Sequence, residues 1–260
     1  RDANKYSTSI AKGKFINDNE IMFENIFQSE PPTAEDIHFG SRISIKDKYL
    51  YASLGERRQG IATQDPKNHF GKIIRINLDG SIPTDNPDFD EPLTFPGVFQ
   101  IGLRNPQGMA LSPIDNEIYI TNHGPKGGDF FGKVIREGNY GWDDVAWGGI
   151  DYDGSVIGDG SSWKPGYDKP IYRWIPSIAV SNIVFYQGEE FIDFKGDILL
   201  ASLKAQKLIK LKYEDGKIID EQTLIERKGR IRDVEINNQG KIFIIIDDAN
   251  GSLLELKKIE

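Results

Sequence analysis

Residues 102–149, GLRNPQGMALSPIDNEIYITNHGPKGGDFFGKVIREGNYGWDDVAWGG, concentrate the groups best suited to chemistry. Arg104-Asn105-Pro106-Gln107-Gly108 sets a guanidinium, which can hold two oxygens at once, beside two amides. His123-Gly124-Pro125-Lys126-Gly127-Gly128-Asp129 offers backbone carbonyls that Gly and Pro leave uncovered, the hard oxygen donors that calcium prefers. Together the two clusters suit a planar polyanion held partly through a hard cation. They flank strand-like runs, Met109 to Leu111 and Glu117 to Thr121, so the chemistry falls at strand ends and in loops, where function concentrates on a rigid β scaffold.

The elements that must position these clusters are short β-type runs recurring along the whole chain. They include Arg42 to Ile45, Tyr49 to Ser53, Ile73 to Asn77, Ile183 to Tyr186, Ile198 to Ala201, Lys207 to Tyr213, Arg232 to Ile236 and Lys241 to Asp247. Most end in Xaa-Gly turns of the hairpin type, such as Asp79-Gly80, Asp153-Gly154, Asp215-Gly216, Gln239-Gly240 and Asn250-Gly251. No stretch holds helical apolar spacing for three turns without Gly or Pro, so the chain reads as all-β. A loose repeat of turn, strand and polar exit (SIKDKYLYASLGE, SPIDNEIYITNHG, NNQGKIFIIIDDANGSLLEL) predicts radially repeated four-stranded sheets, a β-propeller, ahead of a sandwich. On that fold the polar exits His38, Gly55-Glu56-Arg57, His123-Gly124, Lys204 and Asp247-Asp248 converge although they are distant in sequence. Residues 79–100, rich in Pro and Asp, and 148–170, rich in Gly, are the long irregular connections.

Composition bounds the rest. At 260 residues one large domain is the simpler expectation. A net charge of −8, with Lys and Arg scattered rather than striped, argues against a nucleic-acid backbone as partner. No run of eighteen apolar residues predicts a membrane span. Zero Cys removes disulfides, thiolate metal sites and Cys nucleophiles, and is compatible with an oxidising compartment. The chain opens on a charged turn at Arg1, which reads as the middle of something, with an export signal expected upstream.

Eight ordered segments carry a resemblance: HFGSR at 38–42, NHFGKIIRINLDGSIPTDNP at 68–87, GLRNPQGMA, NHGPKGGD, GNYGW at 138–142, WIPSIAVS at 174–181, GDILLASLK at 196–204 and RIRDV at 230–234. The chain resembles the soluble aldose sugar dehydrogenases that depend on pyrroloquinoline quinone (PQQ), the glucose/sorbosone dehydrogenase family. The resemblance implies a six-bladed β-propeller, of which this chain covers about four to five blades. It makes residues 1–260 a single domain that lacks the N-terminal blade and part of the next. It implies bound PQQ and calcium, oxidation of a sugar at its anomeric carbon to a lactone, a periplasmic or secreted location, an electron acceptor of unstated identity, and a monomer or homodimer.

Residue by residue, the resemblance makes His38 the general base on the anomeric hydroxyl, a role suited to imidazole. Arg104 and Asn105 match the residues that hold the quinone oxygens, where a fixed cation stabilises charge that develops on reduction, and Gln107 lies nearby. Gly124 and Pro125 match the positions whose carbonyls ligate the calcium carried on PQQ. Lys204, Arg230 and Arg232 match the cations that bind the PQQ carboxylates, with Trp174, Ser177 and Tyr152 as further contacts. Relatives read GGDE where this chain reads Gly127-Gly128-Asp129-Phe130, and the missing glutamate ligates a second calcium with the carbonyl of Tyr140. Phe130 cannot ligate, which leaves Tyr140 with Asp129 as the substitute.

Each assignment has a plainer reading. His38 alone reads as a hydrogen-bonded loop histidine, and His69 as one packed between strands. Arg104-Asn105 alone reads as a turn cap, and Arg230 and Arg232, at i and i+2, as an exposed strand face. The acid-rich runs lack EF-hand spacing and are assigned no metal. The competing function is a non-catalytic propeller that has lost its cofactor; the joint presence of His38, Arg104, Asn105, Lys204, Arg230 and Arg232 favours the enzyme.

Overall fold

The computed structural model describes residues 4–89 and 93–258. Arg1, and Asp90 and Pro92 of the Pro/Asp-rich connection, lie outside the described residues. The chain divides into two compact units, residues 1–105 with 135–143 and residues 106–134 with 144–260.

The first unit holds the hairpin β1 (Ser9–Asn17) and β2 (Glu20–Gln28) and a four-stranded antiparallel meander. The meander is β3 (Gly40–Lys46), β4 (Tyr49–Leu54), β5 (Lys72–Asn77) and β6 (Val98–Gln100). β4 and β5 are buried along nearly their full length, as central strands with apolar runs must be. Ile10, Leu50, Ala52, Leu54, Ile74 and Ile76 form one apolar cluster beneath the sheet. β3 and β4 are joined through Asp47-Lys48, with Lys46 opposite Tyr49, and Asp47 takes a positive φ of 56°, as such tight hairpin turns require.

The second unit holds two four-stranded meanders and a three-stranded one. The strands of the first are β7 (Pro106–Leu111), β8 (Ile118–Asn122), β9 (Asp129–Lys133) and β10 (Tyr172–Trp174). Those of the second are β11 (Val180–Phe185), β12 (Ile198–Ser202), β13 (Lys207–Glu214) and β14 (Lys217–Glu226). The third is β15 (Ile231–Ile236), β16 (Ile242–Ile246) and β17 (Leu253–Glu255). Tyr119, Phe131, Phe185 and Tyr213 pack between the first two sheets, with Tyr119 and Phe131 stacked at 5.2 Å, and Tyr186, Leu199, Leu208, Val234 and Ile244 fill the space between the second and third. The three sheets are also tied by polar groups: Thr121 Oγ1 on β8 donates to the Ser181 carbonyl on β11 (2.6 Å) and Ser181 Oγ to the Ile231 carbonyl on β15 (2.8 Å). Being buried, these bonds fix the register of one sheet on the next.

Among the described residues there is no α-helix, only two 3-10 turns, Gly60–Gln64 and Ile192–Phe194. The all-β expectation holds, and the Asp215-Gly216 turn adopts φ of 47° and 77°, as the hairpin signal predicts. Residues 134–171 contain no strand, in keeping with the long Gly-rich connection.

Candidate functional site

In the first unit, the loop before β3 and the loop after β4 are brought together by the antiparallel pairing of those strands. His38 Nδ1 meets Glu56 Oε1 in a short hydrogen bond, and Glu56 Oε2 accepts the Gly60 N–H at 3.1 Å. Burial of Glu56 pushes its pKa up, but the His38 hydrogen bond and charge, the Gly60 N–H and the Arg104 charge outweigh that and hold it below the usual glutamate value. An ionised carboxylate only accepts, so Nδ1 of His38 carries a proton in this pair, and in the neutral form of the ring the lone pair is on Nε2. That is the tautomer a general base needs.

Arg104 and Asn105 join the same cluster. The Arg104 carbonyl accepts the Glu56 N–H at 2.7 Å, and Asn105 Oδ1 accepts the Gly40 N–H at 3.0 Å. The Arg104 guanidinium, buried, lies 5.4 Å from the Trp142 ring centroid. Trp142 is held by its carbonyl, which accepts from Thr63 Oγ1 and from Gln64 Nε2 (2.6 Å). Its indole Nε1 is buried and has no hydrogen-bond partner among the described residues. A buried donor costs free energy until it meets an acceptor, so the donor beside Arg104 favours an acceptor-bearing ligand.

Behind this cluster, Lys72 is fully buried, with Nζ donating to the carbonyls of Thr63 (2.8 Å) and Phe70 (2.6 Å). Burial lowers its pKa to about 7, opposed by the charge of Asp65. His69 is structural: Nδ1 accepts the Glu30 N–H at 2.9 Å, Nε2 donates to the Pro96 carbonyl at 3.0 Å, and burial lowers its pKa.

In the second unit, Arg232 Nη1 donates to Gln107 Oε1 (2.7 Å) and Nη2 to Asp247 Oδ2 (2.6 Å), while Arg230 Nε lies 3.5 Å from the same carboxylate oxygen. Asp247 therefore binds both guanidinia, and its pKa is lowered chiefly by the Arg232 hydrogen bond. Lys204 is exposed, with its backbone N–H donating to the Ile178 carbonyl at 3.1 Å. Trp174 is a core residue whose indole N–H donates to Glu221 Oε2 at 2.9 Å. Ser177 is buried, its Oγ accepting the Asp129 N–H at 3.3 Å, and Tyr152 is exposed.

The 123–129 loop is organised by Asp129, whose Oδ1 accepts the Gly124 N–H (2.7 Å) and whose Oδ2 accepts the Val180 N–H (3.1 Å). The Gly124 carbonyl accepts from His123 Nδ1 at 2.8 Å, and Pro125 is buried. Among the described residues no three His, Cys, Asp or Glu side chains are grouped to hold a metal ion. Phe130 is buried in β9 opposite Asn122, and Tyr140 is buried in the first unit.

The profile of the Glucose / Sorbosone dehydrogenase family matches residues 1–255. Aldose sugar dehydrogenase YliI of Escherichia coli (strain K12) is 32% identical over 260 residues, covering 98% of this chain and 70% of that protein. The chain belongs to the glucose/sorbosone dehydrogenase family. A crystal structure of a glucose dehydrogenase superposes with a TM-score of 0.94 at 30% identity, covering 100% of this chain and 76% of the other. The PQQ-bound form of an aldose sugar dehydrogenase from Streptomyces coelicolor gives 0.69 at 25% identity, covering 90% and 66%. The fold of this family member is thus a β-propeller, and the antiparallel meanders are its blades.

Sequence reasoning missed four residues of this family member's candidate site. Glu56 was visible only as one polar exit among several. Asp247 was likewise visible only as a polar exit, Trp142 lay within GNYGW without a role, and Lys72 just before the strand-like run at Ile73 without one.

Proposed function

We propose that this protein oxidises an aldose at its anomeric carbon to the lactone, with PQQ as cofactor. The observation that carries the reading is the His38–Glu56 pair, with its lone pair on Nε2, joined through backbone and side-chain bonds to Arg104 and Asn105. Membership of a dehydrogenase family and a PQQ-bound relative support it. PQQ, when bound, supplies a two-electron acceptor. The chain's own residues do the rest. His38 Nε2 takes the anomeric hydroxyl proton, and the ionised Glu56 stabilises the imidazolium that forms. Arg104 is the fixed cation toward the quinone oxygens, with Asn105, Gln107 and the Trp142 N–H as neutral donors. Arg230, Arg232 and Lys204 are the cations for carboxylates, and Asp247 keeps the first two together. Ser177, Tyr152 and Trp174 belong to the same proposed contact set, Trp174 through its ring because its indole N–H is bonded to Glu221. Calcium on the carbonyls of Gly124 and Pro125, and a second ion at Tyr140, draw support from the resemblance alone, and no step above depends on them.

The same proposal makes residues 1–260 one β-propeller domain; the chain spans 70% and 76% of the length of the relatives it matches. It also places the protein in the periplasm or outside the cell, where fractionation tests it. Among the described residues no helix is long and apolar enough to cross a membrane. The functional test is titration with PQQ followed by addition of aldoses and an artificial electron acceptor. Binding at micromolar PQQ with acceptor reduction is expected; absence of binding, or binding without turnover on any aldose, overturns the reading in favour of a non-catalytic module.

A further inference from the structure

His38 has a φ of 52°, a left-handed conformation that residues with a Cβ rarely adopt. The bond to Glu56 fixes the ring, but it does not hold the backbone in that state. The residue after Glu56 does. Arg57 Nε donates to the Ile37 carbonyl at 2.7 Å, Arg57 Nη2 donates to the Glu35 carbonyl, and the guanidinium stacks 3.8 Å from the centroid of the Phe39 ring. These attachments span residues 35, 37 and 39 and so bracket His38 on both sides. On the opposite side the strand end itself is the wall. A Cβ on Gly55 would stand 1.8 Å from the His38 carbonyl oxygen, and the Gly55 N–H donates to the Phe39 carbonyl at 3.1 Å. Arg57 has a φ of 54°, and its side chain is almost wholly buried.

We propose that Arg57 is the positioning residue that clamps the backbone of His38, so that Gly55, Glu56 and Arg57 act in turn as seat, ring anchor and backbone clamp for one imidazole. The inference deepens the reading of His38 as the base and rests on it for its functional meaning. The guanidinium is suited to the task because its planar fork serves two carbonyls while its face covers an aromatic ring. A lysine carries the same charge as a single flexible point and can do neither together. Arg57 touches no reacting atom in this scheme. Its effect reaches the proton transfer through the position of Nε2, where a misplacement of about 1 Å can cost about a hundredfold in rate.

The test uses the full chain without cofactor, labelled with 15N at its three histidines, whose ring signals are assigned with His38→Ala and His69→Gln. In the unaltered protein the His38 signals are expected to be those of one tautomer, protonated on Nδ1. Arg57→Lys and Arg57→Met are expected to average the His38 signals between tautomers and to raise amide exchange at residues 36–40 by about tenfold or more, while the His69 and His123 signals stay in place. In PQQ-loaded protein, Arg57→Lys is expected to lower kcat by about a hundredfold with KM nearly unchanged. A His38 signature that survives in Arg57→Lys overturns the clamp, whatever happens to thermal stability. So does uniform loss of all three histidine signals, which marks Arg57 as general scaffolding; should Arg57→Met fail to fold, the lysine variant decides alone. Retained turnover in His38→Ala instead defeats the base reading and leaves the ring measurements on Arg57 standing.

Discussion

Replacing Glu56 by glutamine removes one negative charge and keeps the shape, and the structure sets what that must do. Both carboxylate oxygens accept, one from His38 Nδ1 and one from the Gly60 N–H. An amide has one acceptor oxygen and one donor nitrogen, so one of those two donors is left facing an N–H. The side chain is nearly inaccessible to solvent, and water cannot repair the loss. Loss of one charged hydrogen bond costs about 1.5–3 kcal/mol, or roughly 10- to 150-fold at about 1.4 kcal/mol per decade. With the charge gone, the imidazolium formed during turnover loses its partner, so Glu56→Gln should lower kcat by about that factor with little change in PQQ affinity. Because the folded pKa of Glu56 lies below its ordinary value of 4.5, its contribution to stability is present above that value and is lost as pH falls through the folded pKa. The stability gap between the two proteins, from denaturant titration, should thus be constant at neutral pH and narrow as pH falls below 4.5. Wild-type kcat in Glu56→Gln, or a gap independent of pH down to acid unfolding, refutes the assignment.

Other perturbations test neighbouring parts. Lys72 has its pKa lowered to about 7, so the unfolded chain binds more protons between about pH 7 and 10, and stability should rise with pH across that window; in Lys72→Met the rise should vanish in pH-resolved thermal melts. Arg232→Ala loses the bonds to Gln107 and Asp247 and is expected to weaken PQQ binding by about 1.5–3 kcal/mol, read by fluorescence titration, with kcat at saturating cofactor largely kept. Asp129→Asn should lower stability by about 1–3 kcal/mol equally with and without calcium, because its carboxylate holds backbone N–H groups of Gly124 and Val180; a loss seen only with calcium makes Asp129 a metal ligand instead.

How much of this was legible in the sequence depends on the range of the interaction. The hairpin turns and central strands are written locally, in Asp-Gly pairs and β-branched runs, and Asp215-Gly216 and β5 appear where those signals put them. His38, Arg104 and Asn105 were visible as motif residues, and the first unit brings them together around Glu56. Glu56 itself was not, because its partner lies 18 residues away and the pairing exists only once β3 and β4 run antiparallel. Asp247 meets Arg232 across 15 residues for the same reason, on the hairpin of β15 and β16. Lys72 precedes the strand-like run at Ile73 without a local signal, and its ammonium is caged only on folding, by the Thr63 carbonyl of the 3-10 turn at Gly60–Gln64 and the Phe70 carbonyl. Trp174, which the resemblance gives as a ligand contact, also donates its indole N–H to Glu221 on β14, a distant strand that no local pattern announces.

The central claim is that His38, oriented by Glu56, takes the sugar's proton. Its most direct test is single-turnover reduction of bound PQQ by aldose in His38→Ala, with PQQ affinity measured on the same preparation. The account predicts unchanged affinity and a reduction rate at least a hundredfold lower, on the scale of about 10²–10⁴ for general-base catalysis. Reduction at the wild-type rate would contradict it.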